Sequence, residues 1–152
     1  MLRYFILILV ISFLQNSNVF AQDAREGTPE EKAAHAQNVK GIMGKWKTNG
    51  TETEIVEDQL KPKKQEVEQL YKNIFDNAAW EFKTDGSFTI TNNIDGKSST
   101  DKGTFTIVAN KLTLYMSGNT LHCLMKMKVD GTMVVAIMIT EKSKFGMLLT
   151  KQ

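Results

Sequence analysis

From Ala78 onward the sequence divides into seven short segments in which apolar and polar residues alternate. Turn residues separate them at close, regular spacing, and a Gly44-Lys45-Trp46 tripeptide further upstream opens an eighth. Eight consecutive up-and-down strands can close on themselves and so remove the unpaired edges that would make an open sheet aggregate. The expected fold class is therefore mainly β, an eight-stranded antiparallel up-and-down barrel. One helix precedes it and a second is inserted between strands 1 and 2.

Loop parity sets the strand register, because residues paired across a hairpin point to the same face. A two-residue Asp85-Gly86 loop would pair Phe82 with Thr89 and mix the faces. A three-residue Thr84-Asp85-Gly86 loop instead pairs Phe82 with Phe88 and Trp80 with Ile90, which predicts a left-handed Gly86. The same reasoning gives Ala109-Asn110 a two-residue loop with Ile107 against Leu112. Gly118-Asn119 follows, with Met116 against Leu121 and Leu114 against Cys123. A three-residue Val129-Asp130-Gly131 loop pairs Met127 with Met133. A Glu141-Lys142-Ser143 loop pairs Ile139 with Phe145 and Ile137 with Met147.

This register gathers an apolar inward set. It includes Trp80, Phe82, Phe88, Phe105, Leu114, Met116, Met125, Met127, Phe145 and Met147. It also leaves Leu124, Val134, Ala136, Met138, Gly146 and Leu148 facing outward on three neighbouring strands, an apolar strip that calls for a cover. The expected cover is the N-terminal helix, with its alanines against Ala136 and Gly146; the competing one is a homodimer or protein partner docking through Leu124, Val134, Met138 and Leu148.

The helices carry their own signals. Thr28-Pro29-Glu30-Glu31 combines a capping hydroxyl, a proline at the first helical position and a glutamate three residues after the cap, predicting a helix over 29–43. Over 61–76, Val67, Leu70, Tyr71, Ile74 and Phe75 recur at helical spacing, with charged residues on the other side. The barrel domain thus spans 29–152, with a first strand at 44–51 and the remaining strands within 78–151. Residues 22–28 form a linker. Residues 1–21 read as a cleaved secretory signal: Arg3, then the apolar Tyr4 to Leu14, then Val19-Phe20-Ala21. That apolar run is shorter than the roughly 20 residues needed to span a bilayer, so no stable membrane insertion is expected after cleavage. No cysteine adjoins the junction, and the expected location is the periplasm or the medium.

Nineteen basic and seventeen acidic residues leave a net charge of +2, and the one basic cluster, Lys61, Lys63 and Lys64, has no interleaved aromatics. Nucleic acid is not an expected partner. Cys123 is the sole cysteine and reads as a buried structural thiol. His35 and His122 have no serine, cysteine or carboxylate placed to complete a catalytic set. Adjacent strand residues point apart, so His122 and Cys123 cannot share a metal. No catalytic residue, metal or cofactor is expected. The polar stretch from Asn92 to Lys102 reads as the longest loop and as the candidate for insertion into a protein partner.

Gly44-Lys45-Trp46 after a helix, then Trp80-Glu81-Phe82-Lys83-Thr84-Asp85-Gly86-Ser87-Phe88, Gly103-Thr104-Phe105-Thr106-Ile107 and Asn110-Lys111-Leu112-Thr113-Leu114, resemble the small bacterial lipocalin-like domain family from about Ile42 to Thr150. The resemblance implies that Gly44 and Trp46 close one end of a lipocalin-like barrel. Larger lipocalins carry Thr-Asp before a late strand, where this chain has Val129-Asp130-Gly131. They also lay a basic residue over the tryptophan, a part open only to Lys151. The resemblance further implies a small apolar ligand in the barrel mouth. With no cation, tyrosine or histidine in the inward set, a neutral ligand is expected, since an unpaired buried charge costs several kcal/mol. The inserted helix, through Leu70, Tyr71, Ile74 and Phe75, would then be the lid. Large inward side chains could equally fill the lumen. In that case the barrel would act as a protein-interaction or inhibitor module of the cell envelope.

Overall fold

The computed structural model describes residues 28–94 and 96–152, so the expected signal segment 1–21 and the expected linker as far as residue 27 lie outside the described residues. Helix α1 (Pro29–Ile42) is followed after one residue by strand β1 (Gly44–Glu54). A single 3-10 turn (Lys61–Lys63) then leads into helix α2 (Lys64–Phe75). Strands β2 (Ala79–Phe82), β3 (Ser87–Ile94), β4 (Lys97–Val108), β5 (Lys111–Met116), β6 (Asn119–Met127), β7 (Met133–Met138) and β8 (Lys144–Lys151) complete the chain. All eight strands form one closed antiparallel barrel in sequence order, sealed by β1 against β8.

Most hairpins keep the expected register. Phe82 pairs with Phe88, Ile107 with Leu112 and Met127 with Met133. Gly86 has φ of 82°, as the bulged three-residue loop requires. Two registers differ, each by two residues. At the β5–β6 turn, Met116 pairs with Asn119 and Leu114 with Leu121, because Gly118, with φ of 78°, takes the second loop position and not the first. At the β7–β8 turn, Ile137 pairs with Phe145 and Val135 with Met147, and Ile139 to Ser143 form the connection. Its cause is a polar knot: the Ser143 and Thr140 hydroxyls both donate to the Glu57 carboxylate, and the Ser143 hydroxyl accepts the Val56 amide at 2.9 Å. Burial opposes ionisation of Glu57, but these hydroxyl donors outweigh it and hold the carboxyl below its usual range.

Two further expectations are corrected. The Asn92 to Lys102 stretch is no loop. β3 and β4 stay paired out to Ile94 and Lys97 around a turn in which Gly96 has φ of 75°. β1 also runs on to Glu54, beyond the expected end at residue 51. A bulge between Thr48 and Gly50 bends it, and its inward residues there, Thr48 and Thr53, are buried threonines that no apolar pattern reveals. Thr48 Oγ1 accepts the Trp80 indole N–H at 3.0 Å, which satisfies a donor deep in the core.

The N-terminal helix does not cover the outer strip. A one-residue link ties the end of α1 to the closed end of the barrel, where it lies against β4 and β6. Ile42 is fully buried there, the Met127 side chain packs at Gly41, and Ala33 and Ala36, the residues expected to dock, are exposed. Leu124, Val134, Ala136, Met138 and Leu148 stay half-exposed. The helix is fixed by Asn38 Nδ2, which donates to the Ala109 carbonyl at 2.8 Å. Ala109 has φ of 54°, a left-handed conformation that costs an alanine roughly 1–2 kcal/mol. Ala109→Gly should therefore raise stability by about 0.5–1 kcal/mol after the added unfolded-chain entropy is subtracted. The midpoint of chemical denaturation reads this directly.

Candidate functional site

The closed end is built around Trp46. Its side chain is fully buried, its indole N–H donates to the Ile42 carbonyl at 2.7 Å, and Lys151 Nζ stands 5.2 Å from the ring centroid. Gly44, with φ of 110°, makes the sharp entrance that lets Lys151 reach across it. Strand β1 and the end of β8 thus lock the base of the barrel through one tryptophan and one cation.

Above this base the lumen is filled. A column of rings descends from α2: Tyr71 stacks on Phe145 at 5.2 Å and Phe75 on Trp80 at 5.6 Å. Trp80 stacks in turn on Phe82 at 6.1 Å, and Phe82 meets Phe105 edge-on at 5.2 Å. Leu114, Phe88, Met125, Met133 and Met147 complete the packing. Cys123 is buried among them, and burial pushes its thiol up to about 12. It is an inert packing residue, as expected of a lone apolar-facing thiol. The same burial pushes the Tyr71 phenol up to about 12.

Space opens toward the mouth. A cleft of about 930 Å³ lies between α2 and the outer ends of the β3–β4 and β5–β6 hairpins. All four expected lid residues, Leu70, Tyr71, Ile74 and Phe75, form one wall, and Ile90, Ile94, Met116 and Leu121 form the other. Of the ten side chains expected to line a ligand cavity, Met116 alone borders this cleft. Trp80, Phe82, Phe88, Phe105, Leu114, Met125, Phe145 and Met147 are core beneath it, and Met127 packs against α1 at the far end. The helix periodicity located the wall. The strand alternation marked which residues face inward but not how deep the lumen is closed.

The rim carries residues that sequence reading did not place beside a ligand: Asn92, Ser99, Thr100, Asp101, Lys102, Asn119 and Thr120. The five within 92–102 read as part of a partner-inserting loop, whereas pairing of Asn92 with Ser99 and Ile90 with Asp101 makes them the outer ends of β3 and β4. His122 also borders the cleft, although its strand position opposite Thr113 turns away from the lumen. Among the described residues no three His, Cys, Asp or Glu side chains gather into a metal site, and no helix is long and apolar enough to cross a membrane.

Comparison with known proteins gives one family: a model of the lipocalin-like domain matches residues 42–135, from the end of α1 into β7. No curated protein matches the chain.

Proposed function

The chain belongs to the lipocalin-like domain family, and on that premise we propose that it is an exported binding protein holding a small, neutral, largely hydrocarbon ligand in the cleft at its barrel mouth. The observation that carries this reading is the pair of apolar walls, with Leu70 and Ile74 of α2 facing Ile90, Ile94, Met116 and Leu121 across the cleft. A hydrocarbon chain laid there removes apolar surface from water on two sides at once, which is the main driving force for binding such ligands. Met116 gives the wall an adaptable side chain. The ligand stays near the mouth, because the ring column occupies the space below. Binding, with no chemical step, is the whole of the activity. Export rests on the Arg3, Tyr4–Leu14 and Val19-Phe20-Ala21 pattern and leads to the periplasm or the medium.

Ile74 is the side chain to test, since it is half-buried, borders the cleft and sits outside the ring column. Ile74→Ser should weaken uptake of a twelve-carbon neutral lipid by about tenfold, the equivalent of roughly 1.4 kcal/mol of lost apolar burial. Native mass spectrometry and titration calorimetry read the uptake. Unchanged affinity would remove α2 from the site. A second reading, a protein-interaction module, has its own observation in the half-exposed outer strip of Leu124, Val134, Met138 and Leu148. Self-association through that strip together with no uptake of any neutral lipid would favour it.

A further inference from the structure

Inward positions along β3 run Phe88, Ile90, Asn92, so an amide stands where the alternation supplies its next apolar side chain. The register extends this polarity around the mouth. Asn92 lies opposite Ser99, Ile90 opposite Asp101, and Met116 opposite Asn119, and paired residues share a face. The apolar lumen is thus crowned by Asn92, Ser99, Asp101 and Asn119; Lys102, paired with Thr89, is at an outward position on its strand, although it too borders the cleft at its rim.

Asn92 is 5 % exposed, and its Nδ2 donates to the Ile74 carbonyl of the lid helix at 3.1 Å. Only the amide nitrogen can face a carbonyl, so this bond fixes the orientation of the group and turns Oδ1 the other way. Oδ1 is buried and has no hydrogen-bond partner among the described residues, and the same holds for Asn119 Oδ1. Both residues border the cleft. A buried acceptor left unmatched is costly, and native proteins leave few of them.

We infer that this end of the cleft reads a hydrogen-bond donor, so that the ligand is a neutral lipid with a hydroxyl head group whose O–H donates to Asn92 Oδ1. The inference rests on the proposed binding function and narrows its ligand class. Two amide oxygens, with the Asp101 carboxylate on the same inward row, repel a fatty-acid carboxylate. An ester or ether with no O–H leaves the Asn92 acceptor unmatched and pays for its desolvation.

The test compares four twelve-carbon probes on the wild-type chain by displacement of a fluorescent apolar dye: 1-dodecanol, its methyl ether, dodecanoate and dodecylammonium. Dodecanol should bind about tenfold tighter than the ether and tighter than either ion. Asn92→Leu should abolish the preference for dodecanol over the ether, whatever it does to the affinity of both. Equal binding of alcohol and ether overturns the hydroxyl site but leaves the binding function standing, and tightest binding of either ion overturns it as well. Binding of none of the four overturns the function itself. The wild-type comparison needs no variant, so it stands even if loss of the Asn92 bond to Ile74 unsettles the lid.

Discussion

Alanine at Gly103 should destabilise the barrel by about 3 kcal/mol, near the upper end of what overpacking costs. A Cβ built there would lie 2.0 Å from the Tyr115 carbonyl oxygen and 2.9 Å from a Phe88 ring carbon. The oxygen is main chain on the adjacent strand, where Gly103 pairs with Met116 and Thr104 with Tyr115. It cannot withdraw without opening the β4–β5 ladder. Gly103 is also where the projecting β3–β4 arm joins the barrel wall, since it pairs with Phe88 on its other side. Gly86 is the internal control: with φ of 82° and open space around its Cβ position, alanine there should cost only about 1 kcal/mol of conformational strain. Urea denaturation followed by circular dichroism, compared at equal slope, separates the two. Equal losses at both positions would mean that β4 and β5 do not approach as closely as the structure has them.

Which residues face inward was legible in the sequence because side-chain direction alternates with a period of two. Trp80, Phe82, Phe88, Leu114 and Met147 all face the lumen as read. The same period explains the two misplaced registers. A slip of two residues leaves every face unchanged, so alternation cannot detect it. What decided the β7–β8 register was Glu57, more than eighty residues away along the chain, gripping Thr140 and Ser143. No local pattern encodes that contact. The helical wall of the cleft was legible because Leu70, Tyr71, Ile74 and Phe75 have helical spacing. The polar crown was not, because Asn92, Ser99 and Asp101 are loop-favouring residues held in a ladder by the pairing of their neighbours. Composition suggested a loop there; a hairpin with a tight turn at Gly96 overrode it.

Phe145→Ala should cost about 4 kcal/mol, in the range of buried phenylalanine truncations. Phe145 is fully buried on β8, between Ile137 of β7 and Thr53 of β1, and it touches both inward rings of α2, Tyr71 at 5.2 Å and Phe75 at 6.2 Å. The ring therefore joins the seam that closes the barrel to the helix that caps it. Removing it leaves a void that the strands cannot collapse to fill, because their spacing is fixed by hydrogen bonds on both sides. It also takes away the surface on which Tyr71 rests, so α2 should exchange its amide hydrogens faster than the barrel strands do. Ile74 is half-buried at the edge of the core and borders the cleft, so Ile74→Ser should cost only about 1 kcal/mol of stability while reducing lipid uptake. The contrast between a stability defect at Phe145 and a binding defect at Ile74 tests the central geometric distinction, a filled lumen beneath an open mouth. A loss below about 1 kcal/mol at Phe145, the level of a surface substitution, would mean that the rings do not pack and that the cavity continues to the base of the barrel.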